Sequence, residues 1–305
     1  MLLPRAGRIT FSAMPGPSVS LAPGRGGLPT VSLVASDGAR AEVALHGAHV
    51  LSWRPAAGEE RLFLSARSAF RDGTAIRGGV PVIFPQFADR GPYARHGFAR
   101  TRAWSFDEGA VRVDAAGRAQ VTLRLDDDAD TRARWPYAFA AELTVSVGGD
   151  ALAVTLTVAN PGAAALAFTA ALHTYLAVPH VARASVAGLR GVRHLDSTAG
   201  GAERVDDAPA VTFAGEVDRI YLDAPATVTL RDGGEPTLEV RAAGFPDVVV
   251  WNPGAEKGAA LADLEPGGAS RFVCVEAAVV GTPVALAPGG RWSGTQTLVV
   301  APSRA

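Results

Sequence analysis

The chain is 305 residues long, which is enough for two ordinary domains or for one large β-sandwich. Hydrophobic residues make up 48% of it and charged residues 19%, and this proportion predicts a packed globular core rather than a disordered chain. The formal net charge of −1 argues against a nucleic-acid or membrane partner, and the single cysteine, Cys274, argues against a disulfide framework or a multi-cysteine zinc site.

The first 28 residues differ in composition from the rest of the chain. They carry several prolines and arginines but no sustained apolar run of the kind that a signal peptide or a membrane span requires. We therefore predict a flexible leader over residues 1–28 and a single domain over residues 29–303. We also expect a cytoplasmic location, because a lone cysteine is typical of a reducing compartment.

From Thr30 onward the apolar residues repeat with a period of two, which is the pattern of half-buried β-strands. Two alternating runs flank Gly148-Gly149-Asp150, and this turn sequence predicts a β-hairpin. Because no long stretch has a period of 3.6, we predict an all-β fold, a large antiparallel sandwich with helix confined to short turns. The other predicted strands are 119–126, 166–176, 226–231, 237–241, 248–251, 271–276 and 295–300.

Residues 75–87 interrupt this pattern with two prolines and two glycines. Proline donates no hydrogen bond to a sheet, so this apolar run is not predicted to be a central strand. Gly78-Gly79 can adopt positive φ and, together with Arg77, could form a cradle for an anion. A tight turn that carries a surface arginine explains the same residues equally well.

The segment Arg95-His96-Gly97-Phe98-Ala99-Arg100 places an imidazole between two guanidinium groups. Their mutual repulsion is unfavourable unless an anion or a carboxylate lies nearby. The segment therefore favours a ligand site, and a solvated basic loop is the alternative.

One face of the strand predicted over residues 166–176 begins with small side chains and ends with His173 and Tyr175. Small side chains leave a hollow above a sheet, and two polar rings that project into such a hollow are typical of the floor of a sugar pocket. Taken by itself, His173 is better explained as a structural histidine beside a tyrosine.

Two carboxylates complete the set of candidate site residues. Glu276 shares a strand face with Phe272 and Cys274, where alternation calls for an apolar residue. Burial there would raise the pKa of its carboxyl and make it a suitable base, unless an arginine pairs with it structurally. Asp218 is a further candidate acid, or else an ordinary loop carboxylate.

Taken together, these segments resemble the hexose-6-phosphate mutarotase branch of the aldose 1-epimerase superfamily. The resemblance extends from about residue 40 to about residue 280, and its segments occur in the order of that family. The segments are HGA through SW (46–53), LFLS (62–65), IRGGVP (76–81), HGFAR (96–100), LHTY (172–175), DRIY (218–221), WNP (251–253) and CVE (274–276).

The resemblance implies a galactose-mutarotase-like β-supersandwich and an isomerase that interconverts the anomers of a hexose 6-phosphate, such as glucose 6-phosphate, without a cofactor. It implies that His173 is the general acid at the ring oxygen and that Glu276 is the general base at the C1 hydroxyl. It also implies a substrate-binding set in which arginines help to hold the phosphate. That set is Arg77, His96, Arg100 and Asp218, and Arg95, which precedes the HGFAR segment and departs from the family pattern, is added to it for its charge.

Three alternatives stay open from the sequence. A mutarotase for unphosphorylated aldoses would use the same acid and base, although a neutral sugar gives three arginines no charged partner. A non-catalytic sugar-binding protein could keep the same sandwich. A metal site is admissible by ligand type from His96, His173, Asp218 and Glu276, but no compact ligand spacing supports it. We expect no metal, no cofactor and no nucleic-acid or membrane partner, and we take a monomer as the working assumption.

Overall fold

The structure is a computed structural model that describes residues 16–302, except residues 57, 108 and 110. In chain order, its strands are β1 (Ser18–Pro23), β2 (Pro29–Val34), β3 (Arg40–Ala44), β4 (His49–Arg54), β5 (Val82–Ile83), β6 (Ser105–Phe106), β7 (Arg112–Val113), β8 (Ala119–Asp126), β9 (Ala140–Gly148), β10 (Ala151–Ala159), β11 (Leu166–Leu172), β12 (Tyr175–Ala177), β13 (Ala184–Ala187), β14 (Arg193–Asp196), β15 (Ala202–Val205), β16 (Ala210–Thr212), β17 (Val217–Tyr221), β18 (Thr227–Asp232), β19 (Glu235–Ala243), β20 (Asp247–Asn252), β21 (Phe272–Leu286) and β22 (Arg291–Val300). Two α-helices are present in the described residues, α1 (Ala129–Arg134) and α2 (Gly254–Ala260). Short 3-10 turns lie at Arg25–Gly27, Ala99–Thr101, Val181–Arg183, Ser197–Ala199 and Gly268–Arg271.

The strands pair into three antiparallel sheets within the described residues. A four-stranded sheet has the order β1-β2-β3-β4. A ten-stranded sheet has the order β16-β13-β18-β19-β22-β10-β9-β8-β6, with β7 also paired to β8. An eight-stranded sheet has the order β15-β14-β17-β20-β21-β11-β5, with β12 also paired to β21. The all-β antiparallel architecture predicted from the sequence is confirmed.

The period-two pattern corresponds to one buried and one outer face of each half-buried strand. In β8, Val121 and Leu123 are fully buried, whereas Thr122 on the outer face lies beside Thr144 of β9, with 2.8 Å between the hydroxyl oxygens. The predicted hairpin is the β9–β10 pair, in which Gly149 at the turn has a φ of +60°. Glycine tolerates that conformation without a steric penalty, so the turn residues fix the register of the two strands.

One continuous cluster of buried apolar side chains draws on all three sheets. It includes Val31 of the four-stranded sheet, Leu143 of the ten-stranded sheet and Val250 of the eight-stranded sheet. A single domain over residues 29–303 stays a prediction, and a core shared by the three sheets is what such a domain would contain.

The leader predicted for residues 1–28 differs from the structure in its second half. Residues 18–23 form β1, which pairs with β2 from Ser18 opposite Val34 to Pro23 opposite Pro29. Because β1 is an edge strand whose side chains are almost all exposed, its sequence lacks the apolar alternation from which strands were predicted. Residues 1–15 of the predicted leader lie outside the described residues.

The strand predicted over residues 166–176 is two strands in the structure. β11 ends at Leu172, which pairs with Ala277, and β12 begins at Tyr175, which pairs with Cys274. Two residues on each side lie between these pairs, so the ladder on this side of β21 is interrupted for a short distance, whereas the ladder between β21 and β20 is continuous. This interruption, the β11–β12 break, lies at the candidate site described below.

The α-helices are as short as the sequence predicted. α1 has six residues and α2 has seven. α1 begins with a capping box, in which the Asp128 side chain accepts the N–H of Thr131. No helix in the described part of the chain is long and apolar enough to cross a membrane.

Candidate active site

A pocket of about 420 Å³ opens over β17, β20 and β21 of the eight-stranded sheet. A larger groove of about 670 Å³ lies along the four-stranded sheet, but none of the predicted site residues lines it. We therefore place the candidate active site in the smaller pocket, where buried titratable groups converge. All seven residues predicted from the sequence line it, namely Arg77, Arg95, His96, Arg100, His173, Asp218 and Glu276.

His173 and Glu276 face each other at the β11–β12 break. The Nδ1 atom of His173 lies 3.3 Å from Oε1 of Glu276, and the glutamate is only 1% exposed. Within the described residues, neither His173 Nδ1 nor Glu276 Oε2 has a hydrogen-bond partner of good geometry. A buried polar group without partners costs free energy, so this pair is arranged for a ligand rather than for stability.

Burial shifts the pKa values of the two groups in opposite directions. Burial, and then the nearby Asp218 carboxylate, raise the pKa of Glu276 well above its usual range. Burial, and then His96 and Arg100, lower the pKa of His173 well below its usual range. Both shifts favour the neutral form of the group concerned.

His96 forms a second imidazole wall of the pocket. Its Nδ1 accepts the backbone N–H of Ala88 at 3.3 Å, which leaves the proton on Nε2 when the ring is neutral. Burial, and then Arg100 and Arg95, lower the pKa of His96 to about 3, so the ring is neutral at physiological pH. Its ring centroid lies 5.7 Å from that of His173. His96 can therefore donate one hydrogen bond through Nε2 beside the acid–base pair.

Arg77 is already paired within the protein. Its Nε donates to Oδ1 of Asp263 at 3.2 Å, its Nη2 lies 3.1 Å from Oδ2, and its Nη1 donates to the Tyr175 hydroxyl at 3.0 Å. Burial opposes the charge of Arg77, but Tyr175 and Asp263 outweigh burial and raise the pKa of the guanidinium above its ordinary value. Asp263 was missed from the sequence because a single carboxylate in a turn gives no periodic signal.

Arg95 and Arg100 lie in contrasting environments. Arg95 is 60% exposed at the pocket rim and forms an ion pair with Asp89. Arg100 is partly buried, and within the described residues no carboxylate lies within 4.0 Å of its guanidinium. Its Nε has no hydrogen-bond partner there either, and burial lowers its pKa below the ordinary value. Arg100 is therefore the guanidinium whose charge is available to an anion.

Asp218 and Trp251 complete the walls of the pocket. Asp218 of β17 lies opposite Trp251 of β20. Burial raises the pKa of Asp218, and a hydrogen bond from Ser197 partly opposes this. The Trp251 ring meets the rings of His173 and Tyr175 edge-on, with centroids 5.8 and 6.0 Å apart. Trp251 belongs to the WNP segment of the family resemblance, but the sequence analysis assigned it no role in the site.

The loop that carries His96 and Arg100 is anchored by Phe84. The carbonyl oxygen of Phe84 accepts the backbone N–H groups of Phe98 and Ala99 at 3.0 and 3.2 Å. Its ring packs edge-on against Trp135 and Phe168, at centroid distances of 5.3 and 5.2 Å. Because these aromatic rings belong to the buried core, the loop is fixed against a rigid support.

The predicted anion cradle at Gly78-Gly79 is wrong. The N–H of Gly79 donates to the carbonyl oxygen of Phe63 at 2.7 Å, so it is not free for an anion. The carbonyl of Gly78 lies 2.7 Å from Nε2 of His49, and a Cβ on Gly78 would lie 2.3 Å from the carbonyl oxygen of Phe63. The two glycines therefore permit close backbone packing, and that packing sets the position of Arg77.

The metal-site alternative has no ligand arrangement to rest on. His96, His173, Asp218 and Glu276 all line the pocket. Across residues 16–302, apart from the three undescribed positions, no group of three or more His, Cys, Asp and Glu side chains is placed to hold a metal ion.

The sequence matches known proteins over most of its length. Residues 29–299 match the family model described as Aldose 1-epimerase. A relative from Cenchrus ciliaris named "Putative glucose-6-phosphate 1-epimerase" is 36% identical over 296 residues, which is 95% of this chain and 90% of the relative. A relative of the same name from Escherichia coli (strain K12) is 37% identical over 247 residues, which is 78% of this chain and 79% of the relative.

Solved structures share the fold. The crystal structure of "a putative mutarotase (YeaD)" from Salmonella typhimurium superposes with a TM-score of 0.84 at 30% identity and covers 97% of each chain. A galactose mutarotase-like protein from Clostridium acetobutylicum superposes with a TM-score of 0.70 at 14% identity, over 94% of this chain and 99% of that chain, and this likeness concerns the fold alone. The predicted galactose-mutarotase-like β-supersandwich is confirmed.

Proposed function

The chain belongs to the aldose 1-epimerase family, and from that premise we propose that it is a hexose-6-phosphate mutarotase that interconverts the α and β anomers of glucose 6-phosphate. Membership of the family makes the protein an epimerase, which is an isomerase. The names of the relatives support the phosphorylated substrate. The observation that carries the proposal is the His173–Glu276 pair, 3.3 Å apart, in a pocket that also holds Arg100, whose guanidinium has no carboxylate partner among the described residues.

Anomer exchange requires an acid and a base. One proton is delivered to the ring oxygen and one is removed from the C1 hydroxyl, so that the C1–O5 bond breaks and an open-chain aldehyde forms. The C1–C2 bond then rotates, and the reverse steps close the ring on the other face. We assign the acid to His173 and the base to Glu276. Because no electrons are transferred and no high-energy bond is formed, the proposal needs no cofactor.

The pair can serve both roles because it begins and ends each cycle with one proton. The raised pKa of Glu276 and the lowered pKa of His173, both caused first by burial, favour the neutral form of each group, and we assign the shared proton to Glu276 before the reaction. It must pass to His173 for the histidine to act as the acid, and the 3.3 Å separation makes this transfer short. The proton that Glu276 takes from the C1 hydroxyl then replaces the one given to the ring oxygen.

We assign roles to the other pocket residues from the donor and acceptor groups that they can offer to a sugar. Neutral His96 can donate to a sugar oxygen through Nε2, and Asp218 can accept from a sugar hydroxyl. Trp251 and Tyr175 supply apolar surface for the carbon face of the sugar ring.

We assign the phosphate to Arg100, because its charge has no carboxylate partner among the described residues. A hydrogen bond between a guanidinium and a phosphate is charge-assisted, and it is strongest where water is excluded. Arg77, held by Asp263 and Tyr175, is assigned to orient the substrate, since its own charge is already balanced. Arg95 can reach the phosphate only at the rim, in competition with its Asp89 partner.

Exchange NMR on the anomeric protons tests the proposal directly. The purified protein, treated with a chelator, is expected to speed α-to-β exchange of glucose 6-phosphate well beyond its effect on free glucose, relative to buffer alone. Equal acceleration of both sugars would favour a general aldose mutarotase. No acceleration of either sugar would favour a binding protein that has the fold without turnover.

A further inference from the structure

A buried amide from the opposite sheet bridges the two strands that carry the proposed acid and base. Gln296 lies on β22 of the ten-stranded sheet and is 1% exposed. Its Nε2 donates to the carbonyl oxygen of Val275 at 3.0 Å, and its Oε1 accepts from the hydroxyl of Thr174. Thr174 directly follows His173, and Val275 directly precedes Glu276. The Gln296 side chain thus contacts a residue adjacent in sequence to His173 and a residue adjacent in sequence to Glu276.

Gln296 departs from the pattern of its own strand, because it is a polar residue on the buried face. The inward-facing neighbours along β22 are Gly294 and Leu298, both buried, whereas the alternate residues are only partly buried. A polar amide between two sheets is unfavourable unless its hydrogen bonds are made. Both hydrogen bonds of this side chain go to the β11–β12 break, so the residue supports the break rather than the general core.

At the break, irregular backbone hydrogen bonds replace the regular ladder between β21 and the β11–β12 side of the sheet. The N–H of His173 leaves the sheet and donates to the carbonyl of Pro81 at 3.0 Å. The N–H of Val275 donates to the carbonyl of Thr174 at 3.1 Å. Glu276 remains in the ladder between β20 and β21, opposite Val249, whereas the position of His173 relative to it depends on these irregular bonds and on the amide that ties Thr174 to Val275.

We propose that Gln296 is a positioning residue, which fixes Thr174 against Val275 and thereby sets the separation of the His173 imidazole and the Glu276 carboxylate. Gln296 does not line the pocket. It therefore acts through His173 and Glu276, which do. The effect on turnover rests on the proposed mutarotase function, whereas the effect on the His173 ring rests on the geometry alone.

Two matched substitutions separate positioning from mere burial. Asn160 is also 1% exposed, and its Nδ2 donates to the carbonyl oxygens of Ala164 and Leu286 at 2.9 and 3.0 Å, away from the pocket. Gln296→Met and Asn160→Leu each replace a buried bridging amide by an apolar side chain of similar length. We expect Gln296→Met to lower kcat about 10- to 100-fold with KM changed less than about 3-fold, because small misplacements of reacting groups cost that much.

Asn160→Leu is expected to lose stability but to keep kcat, since the Asn160 amide supports a turn away from the pocket.

The Thr174 hydroxyl gives a second comparison. Thr174→Ser keeps the oxygen that donates to Gln296 and is expected to retain most of the turnover, whereas Thr174→Val removes it and is expected to reproduce the loss seen in Gln296→Met. This pair decides the matter if Gln296→Met fails to fold.

The ring ¹⁵N chemical shifts of His173 at pH 7 provide a readout without substrate, assigned by their loss in His173→Asn. They are expected to change in Gln296→Met and to stay as in the wild type in Asn160→Leu. Wild-type kcat with unchanged His173 shifts in Gln296→Met would overturn the inference and leave the mutarotase proposal standing. If the wild type shows no turnover, the mutarotase proposal fails, and the shifts alone then support or overturn the role of Gln296.

Discussion

Two carboxylates that are buried to nearly the same degree lie on neighbouring strands of the eight-stranded sheet, and they differ in their partners. Asp247 of β20 is 2% exposed and accepts the N–H groups of Asp223, Val280 and Gly281 at 2.7 to 3.2 Å. Glu276 of β21 is 1% exposed, and its Oε2 has no partner within the described residues. Burial by itself therefore does not mark a reactive group. In Glu276 a missing partner coincides with a position on the pocket wall, where a ligand can supply the hydrogen bond.

The same contrast separates two guanidinium groups of the pocket. Arg77 is bound by Asp263 and Tyr175, so its orientation is fixed and its charge is balanced. Arg100 has no carboxylate partner in the described part of the chain. A buried charge that the protein satisfies serves the architecture, and one that it leaves unsatisfied is available to a substrate.

The largest expected effect is on the unsatisfied carboxylate. Glu276→Gln keeps the shape of the side chain but removes the base, and we expect kcat to fall about 10²- to 10⁴-fold. His173→Asn should cause a loss of similar size, because either change removes one half of the proton exchange. Exchange NMR measures the rate, and circular dichroism checks that both variants are folded. Retained turnover in either folded variant contradicts the assigned role.

The satisfied carboxylate should give the opposite result. Asp247→Asn weakens hydrogen bonds that a charged oxygen now accepts, and we expect a loss of about 2–4 kcal/mol in the free energy of unfolding, with kcat nearly unchanged at a temperature where the variant is folded. Urea titration measures the first quantity and exchange NMR the second. A large loss of kcat without a loss of stability would erase the distinction between the two carboxylates.

The guanidinium contrast predicts an effect on binding. Arg100→Met keeps much of the apolar stem and removes the charge, so KM for glucose 6-phosphate should rise about 10- to 100-fold, the usual worth of a charge-assisted hydrogen bond. With free glucose, which has no phosphate, KM should change little, whereas kcat also reports the loss of the Arg100 charge that, after burial and His96, lowers the pKa of His173. Arg95→Met is the matched comparison, and its effect should be smaller because an exposed, ion-paired arginine contributes little. Equal effects of the two substitutions would mean that pairing does not decide which arginine binds phosphate.

The smallest expected effect is a gain of stability in Glu276→Gln. Burial raises the pKa of Glu276 in the folded protein above the unfolded value near 4.5, so the folded state keeps a proton that the unfolded state loses. Wild-type stability therefore falls as pH rises above about 4.5, and glutamine is spared this loss. We expect the variant to be more stable than the wild type at pH 7.5 and to lose most of that advantage at pH 4.5. Thermal unfolding at the two pH values measures the difference, and a pH-independent difference would point to packing instead.

A departure from period-two alternation is one signal by which the sequence indicated site residues. Glu276 was found because a carboxylate stood where alternation calls for an apolar residue. Gln296 departs from alternation in the same way, since it shares one face of the predicted strand 295–300 with Leu298 and Val300. Asp263 has no such signal, because a turn has no periodicity from which a residue can depart.

The sequence by itself determined the local features of this protein. Period-two alternation specified the strands and the all-β class, because a half-buried strand must place apolar side chains on one face. Turn residues specified the β9–β10 hairpin, and prolines kept residues 75–87 out of a central strand. Ordered motifs indicated the family, and the motifs together with local charge indicated seven residues that line the pocket.

Only the tertiary structure decided which of those residues are partners. The 3.3 Å approach of His173 to Glu276, the pairing of Arg77 with Asp263 and the unpaired state of Arg100 within the described residues all depend on segments far apart in the chain. A sequence pattern gives the chemical type of a side chain and the face on which it lies. It does not give the distance between two strands or the groups left without a hydrogen bond when the sheets close, and those quantities set the pKa values and the free charges from which the proposed mechanism follows.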